Sequence, residues 1–312
     1  MSNSIYNAIN FSDLAQRFIQ DVCGGKKNET PVAYLTKLRY LERFLAEKSY
    51  TEVNQHSIDE FRLWMLTRKS KIRGKREVEG ALSPFTIRTV LTTVRHFLKW
   101  GYDNNLFPRI ILKNISEPQP DPKPIKNSIF ETLFNVAQSY GEDWERARNI
   151  ALLCLLRDTG SRVGALARIE VENLDLAHGS VIVMDKGGRY SWLFFGKVSC
   201  EAIKKWLSYR SRFNPKVSNL FITKYGTPMD KKNVRRILNR LAKIAGVEHE
   251  RHNPHAFRHA FARDTLLAGA DLSQTSQLLN HSSIVTTARY YARWSKKELA
   301  VIHHKYSPLS GK

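Results

Sequence analysis

KNISEPQPDPKPIKN, residues 113–127, divides the chain: Pro118, Pro120, Pro122 and Pro124 alternate through it and little of it is apolar. Proline fixes φ and removes a backbone donor, so the stretch predicts an extended, polyproline-like linker. It leaves residues 1–112 and 128–312 as two domains. With 42% apolar residues in 312, each has enough material to bury a core of its own.

Upstream of the linker, apolar residues recur at helical spacing in four segments and almost nothing has the alternation of a strand. The first runs from about Ser12 to Val22 with Leu14, Phe18, Ile19 and Val22 on one face. A second opens at Thr30-Pro31 and carries Leu35, Leu38, Leu41, Phe44 and Leu45. The third opens with Ser57-x-x-Glu60, a capping box, and presents Ile58, Phe61, Leu63 or Trp64, and Leu66. A fourth starts at Ser83-Pro84 and shows Ile87, Val90, Leu91, Val94, Phe97, Leu98 and Tyr102. These segments predict a four-helix bundle. RKSKIRGKR (68–76), between the third and fourth, holds six basic residues in nine and no acid, and is read as a loop.

Downstream, Ser128-x-x-Glu131 is a second capping box, followed by a long helix from about Glu142 to Asp158. IEVENLDL, GSVIVMD and YSWLFFG then run apolar or alternate in short lengths and predict a small antiparallel sheet. The last two join across Lys186-Gly187-Gly188-Arg189, a hairpin turn. Helices return at about 199–212 and 230–245 and predominate to the end. The fold class is therefore mainly α in two domains, a helical bundle followed by a mixed α+β domain.

Charge narrows the function. Lys and Arg number 50 against 29 acids, a net charge of +21, and the excess is spread: 18 basic against 11 acidic residues before position 113, 32 against 18 after it. A polyanion such as DNA is the expected partner, met by both domains. The basic loop (Arg68, Lys69, Lys71, Arg73, Lys75, Arg76) is a candidate phosphate contact. Cys23, Cys154 and Cys200 lack paired spacing and read as buried thiols in a reducing compartment. With no basic-then-apolar leader and no run of about 18 apolar residues, export and membrane spanning are unsupported, and a cytoplasmic, nucleoid-associated protein is expected.

Chemistry concentrates in HERHNPHAFRHAFARDTLLAGADLSQTSQLLNHSSIVTTARYYAR (249–293). His252, His255 and His259 have the spacing of metal ligands, but Pro254 breaks the helix between them, and Arg251, Arg258 and Arg263 surround them with positive charge. The segment instead resembles the catalytic stretch of the tyrosine site-specific recombinase (phage integrase) family. HAFR supplies its H-x-x-R pair as His255 and Arg258, and LLNHSSIVTTARYY its second histidine, His281, with Tyr290 nine residues on. DTGSRVGAL resembles the box with the family's first arginine, here Arg162, and Lys186 lies where the family has its lysine, on the hairpin. Tyr291 is a rival to Tyr290, and the spacing from His281 favours Tyr290.

The resemblance implies an integrase-like catalytic domain behind a core-binding (SAM-like) bundle, the two clamping a duplex, and a DNA strand transferase working without metal, ATP or nucleotide cofactor. A tyrosine of pKa near 10 is only about 0.1% ionised at neutral pH, so attack on a phosphodiester needs a cationic site. Arg162 and Arg258 hold the non-bridging oxygens in this reading, Lys186 protonates the departing 5′ oxygen, His255 assists proton transfer and His281 bonds the phosphate. The 3′-phosphotyrosyl bond is then open to a second strand's 5′ hydroxyl.

Paired inverted core sites and a homotetramer are implied by resemblance. The tetramer draws on the tail WSKKELAVIHHKYSPLSGK, where Trp294 and Val301, and Leu299 and Ile302, space as a short amphipathic helix. Two departures stand out. Ala165 occupies the position of a common acid that orients the arginines, with Asp158 and Glu170 as stand-ins, and Asn280 replaces a glycine. Ala165 keeps open a DNA-binding regulator of recombinase ancestry, and the shared nucleophile keeps open a type IB topoisomerase-like nicking and closing enzyme. Integration, excision, transposition and dimer resolution all remain compatible.

Overall fold

A computed structural model describes residues 11–24, 30–73, 76–113, 115–116, 122–184, 188–281, 283–291, 296–307 and 309. The chain divides into two compact units, Met1–Gln119 and Pro120–Lys312. Ile115 packs on the core of the first unit, and Ile125 is buried in the second with its N–H on the Ala256 carbonyl at 3.0 Å. Both ends of the proline-rich stretch are thus drawn into a core by an apolar side chain, whereas Pro118 and Pro120 lie outside the described residues.

The first unit consists of α1 (Phe11–Cys23), α2 (Thr30–Glu47), α3 (Gln55–Thr67), a hairpin of β1 (Ser70–Arg73) and β2 (Arg76–Glu79), and α4 (Pro84–Asp103). Its core is aromatic. Phe18, Phe44, Phe61 and Phe97 are fully buried, each contributing about 1.5–3 kcal/mol by leaving water, and Phe18 meets Phe97 edge-on at 5.5 Å. Ser83 caps α4, accepting the Thr86 N–H at 3.1 Å, with Pro84 in the first turn.

The entry to α3 lies one turn earlier than the Ser57-x-x-Glu60 pattern suggests. Asn54 is the cap, exchanging two 3.0 Å bonds with Ser57, and Glu60 instead accepts the Tyr50 hydroxyl at 2.9 Å. An Asn amide oxygen caps a helix about as well as a Ser hydroxyl, so either can start it. The buried face is Ile58, Phe61 and Met65, which turns Leu63 and Leu66 outward. Val22 and Tyr102 are likewise exposed.

The basic loop is in fact the β1–β2 hairpin, antiparallel with Ile72 opposite Glu77 and Lys71 opposite Val78. Ile72 is its inward side chain, and its N–H donates to the Tyr40 hydroxyl at 3.0 Å. Because only Ile72 and Val78 are apolar in the two strands, charge hid the alternation.

The second unit holds α5 (Asn127–Ser139), α6 (Asp143–Thr159), α7 (Val163–Leu166), a sheet of β3 (Leu174–Asp175), β4 (Ser180–Met184) and β5 (Tyr190–Phe194), then α8 (Lys197–Arg210), α9 (Lys231–Ile244), α10 (Pro254–Leu267), α11 (Leu272–Leu278), α12 (Ile284–Tyr291) and α13 (Lys296–Tyr306). Leu152, Leu153, Leu155 and Leu156 of α6 are all fully buried, as expected of a helix covered on every side. The sheet is antiparallel in the order β3-β4-β5, with Val181, Val183 and Leu193 facing the core.

IEVENLDL is mostly a turn of 3-10 helix at Val171–Asn173, with only two residues in the sheet. Ser128 does not cap α5. The helix starts at Asn127, whose side chain accepts from Arg157 at 3.0 Å, and the cap position is Lys126, paired with Glu250 at 2.8 Å. No described helix is long and apolar enough to cross a membrane. The three cysteines are free and buried.

Candidate active site

Asn253 caps α10, accepting the Ala256 N–H at 3.1 Å, and Pro254 fixes its first turn. His255 and Arg258 follow one helical turn apart. Arg258 is buried, 6% exposed, and its guanidinium donates to the Gly160 carbonyl at 2.8 Å and the Leu279 carbonyl at 2.6 Å. Arg162 donates to the Asn280 carbonyl at 3.2 Å. Gly160 and Leu279 are the C-caps of α6 and α11, so two helix C-termini turn their partly negative ends toward one guanidinium.

Backbone geometry makes this possible. Gly160 sits at φ 55 and Asn280 at φ 52, both left-handed, which bends the chain out of each helix and aims its carbonyls inward. Asparagine adopts that conformation with little strain, so the glycine is not needed at 280. The Asn280 amide also donates to the Trp192 carbonyl at 3.1 Å, tying β5 to the site.

Ala165 is buried in α7. The two acids expected to stand in for the missing carboxylate are committed elsewhere: Asp158 accepts from the Gly196 N–H at 2.8 Å and the Ser199 hydroxyl at 2.7 Å, at the start of α8, and Glu170 accepts from Asn173 at 3.1 Å. Three backbone carbonyls accept from the two arginines.

His281 presents Nδ1 to the Thr287 hydroxyl at 2.7 Å. Desolvation, then the charges of Arg258 and Arg162, push its pKa down to about 4, so it is neutral at physiological pH. His255 lies at the surface, and desolvation followed by Arg258, Arg235 and Arg162 lowers its pKa as well. His252 bonds Asn239 at 3.0 Å and the Glu250 carbonyl at 2.8 Å.

The two tyrosines differ. Tyr291 is buried, its hydroxyl is bonded to His259 Nδ1 at 2.6 Å, and burial pushes its pKa up to about 12. Tyr290 is half-buried, stacks on His259 with ring centroids 6.3 Å apart, and among the described residues its hydroxyl has no hydrogen-bond partner. Lys186, the expected proton donor, lies outside the described residues, whose strands β4 and β5 lead to it.

In the first unit the structure separates the basic set. The Arg68 side chain is only 6% exposed, lies 4.0 Å over the Trp64 ring, and is bonded to Glu77, with Glu47 at 3.9 Å. Its charge is thus paired within the first unit. Ser70's hydroxyl, then Arg68 and Arg43, hold the Glu77 carboxyl below its usual range. Lys69 and Arg76 are exposed and Lys71 is half-buried, whereas Lys75 and the Arg73 side chain lie outside the described residues. Sequence reasoning missed Thr287, His259's two tyrosine contacts and the three carbonyls. The paired Thr286-Thr287 ahead of the tyrosines is the one signal that was available.

The profile of the phage integrase family matches residues 125–298. Tyrosine recombinase XerC of Corynebacterium efficiens is 28% identical over 281 residues, covering 87% of this chain and 85% of that protein. Its namesake in Thermodesulfovibrio yellowstonii is 32% identical over 238 residues, covering 73% and 77%. In fold, the chain is similar to the XerH site-specific recombinase bound to palindromic difH substrate in a post-cleavage complex (TM-score 0.73, 20% identity, 95% of this chain and 85% of that one). It is also similar to a lambda integrase dimer on a COC′ core site (TM-score 0.67, 15% identity, 91% and 98%).

Proposed function

The chain belongs to the phage integrase family and is a site-specific tyrosine recombinase, and from that premise we propose that Tyr290 is the residue that attacks DNA. The observation that carries this assignment is the contrast between neighbours: Tyr291 is buried with its hydroxyl bonded to His259, whereas Tyr290 is half-buried and its hydroxyl has no hydrogen-bond partner among the described residues.

In the proposed reaction the Tyr290 oxygen bonds to the scissile phosphorus as the 5′ oxygen leaves, giving a 3′-phosphotyrosyl link and a free 5′ hydroxyl. Arg162 and Arg258 grip the non-bridging oxygens and stabilise the charge that grows in the transition state. The carbonyls that accept from them carry only partial charge. His255, neutral because its pKa is depressed, takes the phenol proton. His281, also neutral, donates one N–H to the phosphate. Lys186 protonates the 5′ oxygen. Two guanidiniums do the work that a divalent cation does in other phosphoryl transfers, and the phosphotyrosyl bond conserves the energy of the one broken. The reaction therefore runs without metal or ATP, and adduct formation persists in a chelator.

DNA is the partner. XerH on a palindromic substrate and the lambda integrase dimer on a core site support inverted paired sites; assembly as a tetramer on two of them is part of the same proposal. Lys69, Lys71 and Arg76 supply phosphate contacts from the first unit, and the protein works at the nucleoid. The assignment is tested with a nicked suicide duplex: Tyr290→Phe binds it and forms no covalent adduct, and Tyr291→Phe still does. An adduct in Tyr290→Phe sinks the assignment.

A further inference from the structure

We propose that His259 is a positioning residue for the nucleophile: its imidazole holds the Tyr291 hydroxyl and stacks on the Tyr290 ring, fixing the end of α12 relative to Arg258. The inference rests on Tyr290 being the attacking residue.

Helix α12 is eight residues long, too short to be stable by its own hydrogen bonds. Two of its side chains bond to histidines: Thr287 to His281 at 2.7 Å and Tyr291 to His259 at 2.6 Å. Tyr290 immediately precedes the second of these. Its ring lies nearly parallel to the His259 ring, at 18°, with centroids 6.3 Å apart. The Tyr291 ring closes the arrangement from within a small apolar cluster formed with Ala262 and Leu279.

The bond is between two uncharged groups. Burial, then His255 and Arg258, push His259 down to about 4, while burial pushes Tyr291 up to about 12. At neutral pH a phenol therefore meets a neutral imidazole, and the contact adds no net charge beside the arginines.

Position in sequence gives the contact its consequence. Arg258 and His259 are consecutive on α10; one reaches the Gly160 and Leu279 carbonyls, the other the two tyrosines. A single turn of α10 thus sets both the phosphate-gripping guanidinium and the attacking phenol. Misplacing a reacting group by about 1 Å can cost a hundredfold in rate, so a bond that fixes this separation acts on the chemical step.

The experiment compares Tyr291→Phe, which removes one hydroxyl and keeps the ring, with His259→Phe, which keeps a stacking ring and removes the acceptor, and with the double variant. Each single change slows adduct formation at saturating DNA by about tenfold, with affinity for the duplex within about twofold of wild type. The double is no slower than either single, because both remove the same bond. A fluorine label on the Tyr290 ring shows one narrow resonance in the wild type and a broadened or split one in Tyr291→Phe, a signature that altered stability alone does not produce. Wild-type adduct rates in folded Tyr291→Phe overturn the proposal, and so do single losses that multiply in the double variant. If Tyr290→Phe itself forms the adduct, the underlying assignment has failed, and that result is obtained independently of these variants.

Discussion

Arg258 in the catalytic unit and Arg68 in the helical unit are equally hidden, the first as a residue and the second as a side chain at 6% exposure, yet they face opposite partners. Arg258 donates to carbonyl oxygens at two helix ends. Arg68 lies between two carboxylates and over a tryptophan ring. Carbonyls aim a guanidinium and leave its formal charge in place; carboxylates neutralise it. Burial alone therefore does not distinguish these two arginines, whose named acceptors differ in charge.

The sharpest way to break this comparison is to remove each cation and measure cleavage. Arg258→Ala slows adduct formation by about two to three orders of magnitude, the scale for losing one preorganised donor at a transition state, with a much smaller loss of affinity. Arg162→Ala behaves alike. Equal losses of affinity and rate indicate ordinary phosphate contacts and remove the distinction.

The next effect separates Arg68 from the rest of its hairpin. Replacing Lys69, Lys71 and Arg76 with Gln flattens the plot of log affinity against log salt by about two to three units, at about 0.9 for each phosphate released. Arg68→Gln leaves that slope unchanged. A salt titration on core-site and random duplexes reads both, and a change in slope for Arg68→Gln shows that its charge reaches DNA after all. Sequence preference is unaffected, because phosphate contacts position a protein without specifying the site.

A smaller effect belongs to stability. Arg68→Gln lowers it by about 1 kcal/mol, discounted because the Glu77 and Glu47 side chains are 30% and 42% exposed. Thermal melts with Glu77→Gln and the double variant test it: the losses are less than additive if the two residues share one interaction.

The last is a slope with pH. His259 and His281 titrate near 4 when folded and near 6.5 when unfolded, so between those values the unfolded chain binds more protons. Folded stability contributed by these groups is full above about 6.5 and is lost as pH falls toward 4. Glu77 has the carboxylate pattern: its contribution is present above its unfolded value and disappears as pH falls through its depressed folded one. Melting temperatures of His281→Asn and Glu77→Gln between pH 7 and 3 place the two losses in different windows. A single common window contradicts the assignment of the higher one to histidine.

Legibility followed the range of the interaction. The helices of both units, the hairpin of β4 and β5, and the catalytic spacing from His255 to Arg258 and from His281 to Tyr290 were readable because each is local, written in one helical turn or one short segment. The capping error at Ser57 arose because Asn54 can cap as well as Ser, and that at Ser128 because α5 starts at Asn127 with no side-chain cap at all. The β1–β2 hairpin was hidden because its pattern rests on Ile72 and Val78 amid charges. Asp158 looked available to the arginines until the fold placed the start of α8 against it.

By itself, the sequence pointed to a two-part, strongly basic chain of the recombinase family with its candidate reacting groups in identifiable motifs, since such groups must be particular side chains. Only the tertiary structure decided what aims them. Gly160 lies 98 residues from the arginine it orients and Leu279 lies 21, and both act through carbonyl oxygens. Every residue carries a carbonyl, so nothing in its identity announces the role; the fold alone turns that oxygen toward Arg258.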